Sequence, residues 1–295
     1  MKLIYPTEHK LFEREDTYSL RGICMIMIII NHLYHSLVVH YGIALSGSAI
    51  NYGIYCAGYS ANALFFLLSG YGLNCSLKTN PLNFEYVKKH IQNLLFPYLY
   101  AWCINIILTG NFSMGISGWF LKTIFIIYIL SFAVYHITKN QWVRLWLISI
   151  PILVYIILAN THLGLAPFYT NSIICFPIGI ICSTFPLSSQ KKGATTIVLL
   201  LLFSLFGVLE KNGFAYADYF IAILFSFISI YLASMINVTC KVFDYIGRHS
   251  IMFYVLQIAL IDPLMKIESP WLYCIGVFVI IYALTYVYYK VKARL

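Results

Sequence analysis

The chain has 295 residues, 61% hydrophobic and only 10% charged, with a mean hydropathy of +0.82 and a net charge of +9. A soluble globular domain carries about a quarter charged residues, so this composition excludes one and points to an integral membrane protein. The apolar runs are continuous and of helix length, which argues against a β-barrel, and the basic residues sit in short loops with no dense cluster, which argues against a nucleic-acid partner.

Apolar runs predict an all-α bundle of about ten transmembrane helices, at 20–40, 51–76, 91–109, 119–138, 143–160, 170–185, 194–210, 217–237, 249–266 and 270–289. Residues 1–19 read as a cytoplasmic N-terminal arm of mixed charge, with no small-residue cleavage site after the first run, so that helix is expected to be retained. Connections are short and carry breakers: Asn80-Pro81, Gly110-Asn111, Gly164, Pro186, Asn212-Gly213 and Ser269-Pro270. None is long enough to separate domains, so residues 20–289 are expected to form one domain, followed by a cytoplasmic tail at 290–295. With the N-terminus inside, 15 of the 19 Lys and Arg fall on one side, against Lys122, Lys211 and Lys266 on the other. That asymmetry predicts cytoplasmic N- and C-termini. Trp119 and Trp271 each open a run on the outer side, as interfacial belt residues do.

The first run carries the strongest chemical signal. Arg21 and His32 are eleven residues apart, about three helical turns, so they share a face roughly 16 Å apart along the axis. A permanent cation then stands near the membrane surface and an imidazole well inside the apolar layer. Such groups are costly at depth and usually serve a pathway or a reaction. Arg21 reads either as a snorkelling anchor or as a fork for phosphate. His32 reads either as a helix-packing hydrogen-bond partner or as a general acid–base. Asn31 adjoins it and His35 follows one turn later.

Lys88, Lys89 and His90 precede the third run on the same side as Arg21, either as plain topology or as part of a basic mouth for a phosphorylated ligand. In the second run, the small residues of Ser69-Gly70-Tyr71-Gly72 allow close helix approach, and Ser69 and Tyr71 could also reach a ligand. In Tyr245-Ile246-Gly247-Arg248-His249-Ser250, Gly247 reads as a turn and Ser250 as a helix cap, while Gln257 further on is a buried polar group in need of partners. Eight scattered cysteines form no CxxC pair and read as packing residues. Nothing has metal-ligand spacing, so no metal is expected, and no Gly-rich phosphate loop occurs.

Together these segments resemble the membrane-bound acyltransferase 3 family. Arg21 and His32 are similar to its first-helix Arg and His, and Phe65-Phe66-Leu67-Leu68-Ser69-Gly70-Tyr71 to its second-helix signature. The run from Tyr86 to Tyr98, Trp119-Phe120-Leu121 and Gly247-Arg248-His249-Ser250 resemble three further motifs, in family order. The chain departs from the pattern at His90 and Asn93, where the family carries two arginines, at Gln257, where it often carries a His, and at Tyr18, where it often carries an Asp.

The resemblance implies an O-acyltransferase of the bacterial inner (cytoplasmic) membrane. Its co-substrate would be acyl-CoA, above all acetyl-CoA, and its acceptor a hydroxyl of a surface polysaccharide or related glycoconjugate. His32 and Arg21 would be catalytic, with Arg21, Lys88, Lys89, His90, Ser69 and Tyr71 toward the cofactor. A transporter or flippase lined by Arg21 and His32, or a non-catalytic relative of the fold, are the alternative readings.

Overall fold

The computed structural model describes residues 14–44, 47–79, 82–112, 118–162, 170–185, 191–214, 216–235 and 240–294. Among them the chain forms eleven helices and no strand: α1 (Arg14–Tyr41), α2 (Ser48–Thr79), α3 (Phe84–Thr109), α4 (Trp119–Ile137), α5 (Gln141–Thr161), α6 (Cys175–Thr184), α7 (Lys192–Lys211), α8 (Ala217–Met235), α9 (Lys241–Arg248), α10 (Ser250–Leu264) and α11 (Pro270–Lys292). The first thirteen residues of the expected arm, and the breakers Asn80-Pro81, Gly164 and Pro186, lie outside the described residues.

Local chemistry sets several boundaries. The Asn83 side chain accepts from the Tyr86 amide to open α3, and Gly110 closes it at φ 68°, a left-handed turn that favours glycine. Asn140 caps α5 through the amides of Trp142 and Val143. Ser269 accepts from the Leu272 amide at the start of α11, where Pro270 occupies the first turn and gives up an amide that would have no partner anyway.

Seven helices, α1, α3, α4, α5, α7, α8 and α11, are long and apolar enough to cross a membrane. α2 is long but spends many positions on Asn, Ser and Gly, and these turn out to serve helix contacts and the site. The apolar run at 170–185 is helical only over the ten residues Cys175–Thr184, about 15 Å of rise, too short to span the hydrocarbon alone. The run at 249–266 begins as expected, but a separate amphipathic helix, α9, precedes it and the chain bends at His249. At the ends, α1 begins at Arg14, inside the expected arm, and α11 continues through Lys292, into the expected tail.

α1 lies at the centre of the packing, against α2, α9 and α10. Two glycine crossings bring backbones together. A Cβ on Gly22 would stand 2.0 Å from the Phe243 carbonyl oxygen, and one on Gly247 1.8 Å from that of Tyr18, so α1 and α9 touch main chain to main chain. Gly247 is thus a packing residue within α9 and not a turn. Gly70 and Gly179 do the same for α2 and α6, with Cβ positions 2.1 Å from the Phe176 oxygen and 2.0 Å from that of Leu67. Close approach through small residues is how helices associate where lipid removes any hydrophobic drive between them. The outward faces of α5, α7 and α11 carry exposed Leu, Ile and Val, suited to hydrocarbon.

α1 and α10 run parallel. Arg21, early in α1, shares a pocket with Ser250 and Tyr254, early in α10. At the far end the Tyr41 hydroxyl donates to the Ile267 carbonyl, 2.6 Å away, just beyond α10.

Candidate active site

Arg21 is half-buried and opens into a pocket of about 90 Å³. Hydroxyls surround it: Ser69 from α2, Tyr128 from α4, and Ser250 and Tyr254 from α10, walled by Phe120. Tyr128 shares a hydrogen bond with Ser69 and lies within electrostatic reach of the guanidinium. The position of a Cβ on Gly72 is 3.9 Å from Arg21 Nη2, so the absent side chain leaves the guanidinium room. A cation ringed by hydroxyl donors can hold an anionic oxygen cluster such as a phosphate. The mount is firm as well. Ser19, nearly fully buried half a turn before Arg21, hydrogen-bonds the Asp244 carboxylate of α9, and Gly22 lies against the α9 backbone.

Eleven residues on, His32 lines a second and larger cavity of about 520 Å³. The cavity wall is largely apolar, with Ile28, Val38 and Ala44, and its polar groups are amides, aromatic rings and a second imidazole: Asn31, Tyr34 and His35 of α1, Asn51, Tyr59 and Asn62 of α2, and Trp119 at the start of α4. Planar amides and ring faces are suited to a polyhydroxylated ligand, since they offer hydrogen bonds at the edges and apolar contact on the faces. Asn31 donates to the Ile54 carbonyl at 2.8 Å, and a Cβ on Gly58 would collide with it, 2.6 Å from Cγ. That contact clamps α1 to α2 beside His32. Tyr34 hydrogen-bonds Asn51 and ties the same helices one turn further out. The Asn62 Oδ1 is buried and has no partner among the described residues. Among those residues none hydrogen-bonds the His32 ring, so its nitrogens stay open to the cavity.

Along α1 from Arg21 to His32 stand Met25, at the wall of the small pocket, and Ile28, at the wall of the large one, 0% and 1% exposed. Arg21, Met25, Ile28 and His32 form one stripe at the i, i+4, i+7, i+11 spacing of a single helix face.

The structure separates the remaining expected residues. Ser69 joins the Arg21 pocket, whereas Tyr71 is turned toward Cys75 and Cys182. Lys88 and Lys89 are exposed and do not line the pocket, and Lys88 pairs with Glu85 at 3.7 Å. His90 bonds its own helix through the Tyr86 carbonyl at 2.9 Å and stands 6.4 Å from the Tyr128 ring, ring centre to ring centre. Trp119, expected in the outer belt, lines the His32 cavity, while Trp271 is 79% exposed. Tyr128 was missed by sequence reading. Its one signal is a place on the Leu121–Ile124–Tyr128 face, seven residues past a motif residue. Among the described residues no three His, Cys, Asp or Glu side chains gather.

The profile of the family described as "Acyltransferase domain", Acyl_transf_3, matches residues 19–290. The chain belongs to the acyltransferase 3 family. No curated protein and no solved structure matches the chain. Family membership together with the apolar helices makes this acyltransferase 3 protein a membrane acyltransferase in general terms. The matched span takes in both Arg21 and His32 and every helix that lines their compartments.

Proposed function

We propose that the protein moves an acyl group, acetyl by preference, from cytoplasmic acyl-CoA to a hydroxyl of a surface polysaccharide or related glycoconjugate. In this reading it crosses the bacterial inner membrane about ten times with both ends inside. The observation that carries the reading is the pairing of two unlike compartments on one face of α1. One is small, cationic and rich in hydroxyls. The other is large, with a mainly apolar wall set with amides, aromatic rings and the imidazoles of His32 and His35. They are about 16 Å apart along the helix.

That spacing suits acyl-CoA. The arm that joins its phosphates to its sulfur has about thirteen bonds, and an extended chain at peptide-like advance per bond covers on the order of 16 Å. Phosphate oxygens at Arg21 would therefore bring the thioester carbon near His32. The acceptor ring would take the rest of the cavity, among Asn51, Tyr59, Asn62 and Trp119.

In the transfer, a His32 ring nitrogen takes the proton of the acceptor hydroxyl as its oxygen attacks the thioester carbon. The new C–O bond forms, the C–S bond breaks, and the imidazolium returns its proton to the departing sulfur, which leaves as the free thiol of CoA. His32 ends neutral, and no oxidant or metal is consumed. Arg21 holds the phosphates and so fixes the reach of the arm.

The test uses acyl-CoA labelled in its acetyl group, mixed with membranes holding either wild type or His32→Ala. Label entering the glycan fraction with wild type alone supports the proposal. Equal labelling with both would overturn the role of His32, and movement of glycan without acyl-CoA consumption would favour a flippase.

A further inference from the structure

Gln257 is 0% exposed, and neither end of its amide, Nε2 or Oε1, has a hydrogen-bond partner among the described residues. Buried polar groups are nearly always paired, because an unmade hydrogen bond forfeits what water would have supplied. An amide with both ends orphaned in the middle of a packed helix calls for an occupant.

Its position suggests which. Ser250 and Tyr254 line the Arg21 pocket. Gln257 lies seven residues past Ser250, two turns less about 20° on the same face of α10, and about 4.5 Å deeper than Tyr254. Because α1 and α10 run parallel, this is the level of Met25 and Ile28, between the Arg21 pocket and the His32 cavity. The stripe Ser250–Tyr254–Gln257–Ile261 on α10 repeats the i, i+4, i+7, i+11 spacing of Arg21–Met25–Ile28–His32 on α1. By helical period Gln257 is the polar residue of α10 at that level, while neither compartment's wall includes it.

We propose that Gln257 binds the amide-bearing arm of acyl-CoA as it passes from Arg21 to His32, an inference that rests on the acyl-CoA reading above. A secondary amide offers one N–H and one C=O, and Gln257 offers the complementary pair. The arm of CoA carries two such amides between phosphate and sulfur. Met25, at the wall of the Arg21 pocket, is unbranched and readily re-packed as the arm passes. The orphaned amide then gains its partners only when the donor is bound, and binding is favoured by the amount that the empty state forgoes. Gln257 is a binding residue in this account and takes no part in bond making.

The experiment measures equilibrium binding to the full chain in lipid nanodiscs with two probes. One is CoA. The other is adenosine 3′,5′-bisphosphate, which has CoA's 3′-phosphate and the inner of its two 5′-phosphates and no arm. Gln257→Leu and Gln257→Met, similar in volume and apolar, are expected to weaken CoA binding about tenfold or more, to leave bisphosphate binding unchanged, and to melt at or above the wild-type temperature. Equal CoA affinity in wild type and both variants would overturn the proposal, as would equal losses for both probes or a marked fall in melting temperature in both variants. Unchanged CoA binding in the Gln257 variants with loss in Arg21→Ala removes this inference alone. Failure of wild type to bind CoA removes it together with the acyl-CoA reading.

Discussion

Gly72 faces the guanidinium of Arg21, with a Cβ position 3.9 Å from Nη2. One added carbon is ordinary contact at that distance, and a branched side chain is not. Gly72→Ala should therefore keep wild-type kinetics. Gly72→Leu should push Arg21 off its phosphate position and raise the KM for acyl-CoA by about tenfold, the scale of one charged hydrogen bond. Initial rates against acyl-CoA concentration for the two variants check this.

The glycine crossings make a sharper stability prediction. Gly22→Ala or Gly179→Ala places a carbon about 2 Å from a carbonyl oxygen, so the helices must part, at a cost on the order of 3 kcal/mol. Gly207→Ala in α7 meets nothing within 4 Å and should stabilise by about 0.5–1 kcal/mol through backbone entropy alone. Thermal denaturation in one detergent, with the three variants side by side, should show opposite signs.

Asn62 has a buried, unpartnered Oδ1 at the wall of the His32 cavity. Asn62→Leu removes that acceptor without leaving a void, so the fold should be unaffected. The expected effect is a KM for the glycan acceptor raised by about five- to tenfold, with slow hydrolysis of acyl-CoA in the absence of acceptor unchanged. A parallel loss in both reactions would place Asn62 in the fold and not in acceptor binding.

Lys88 and Lys89 stand outside the Arg21 pocket. If they act, they act at a distance by drawing an anionic donor to the mouth. Lys88→Ala/Lys89→Ala should raise the KM for acyl-CoA a few-fold at low ionic strength and negligibly at about 0.15 M salt, where charges beyond about 8 Å are screened. A loss that persists at high salt would place one of the lysines in direct contact.

The fold was legible wherever the signal was local. Ser269-Pro270 and Gly110 act at helix ends, and their chemistry is written in adjacent residues. The pairing of Arg21 with His32 on one face follows from helical period alone. Other features depend on partners distant in sequence. Gly247 looked like a turn because its true neighbour is the Tyr18 backbone, more than two hundred residues away. Trp119 looked like a belt residue because nothing in its own segment shows that α2 and α1 leave a cavity beside it. Tyr128 gained its place from Ser69 and Arg21 on other helices. The basic cluster at 88–90 is engaged in part by its own segment, where Glu85 one turn back pairs with Lys88.

The most direct test of the account is release of free CoA thiol by purified protein in nanodiscs, with acyl-CoA and glycan acceptor supplied, for wild type, His32→Ala and Arg21→Lys. Wild type should release thiol far faster with acceptor present than by the slow hydrolysis that proceeds without it. His32→Ala should be slower by on the order of 10²–10⁴-fold, the range of a lost general base. Arg21→Lys should keep its maximal rate and lose at least about tenfold in acyl-CoA KM, because a point charge cannot replace the fork. Release by His32→Ala at the wild-type rate, in protein that folds and binds acyl-CoA normally, would contradict the account.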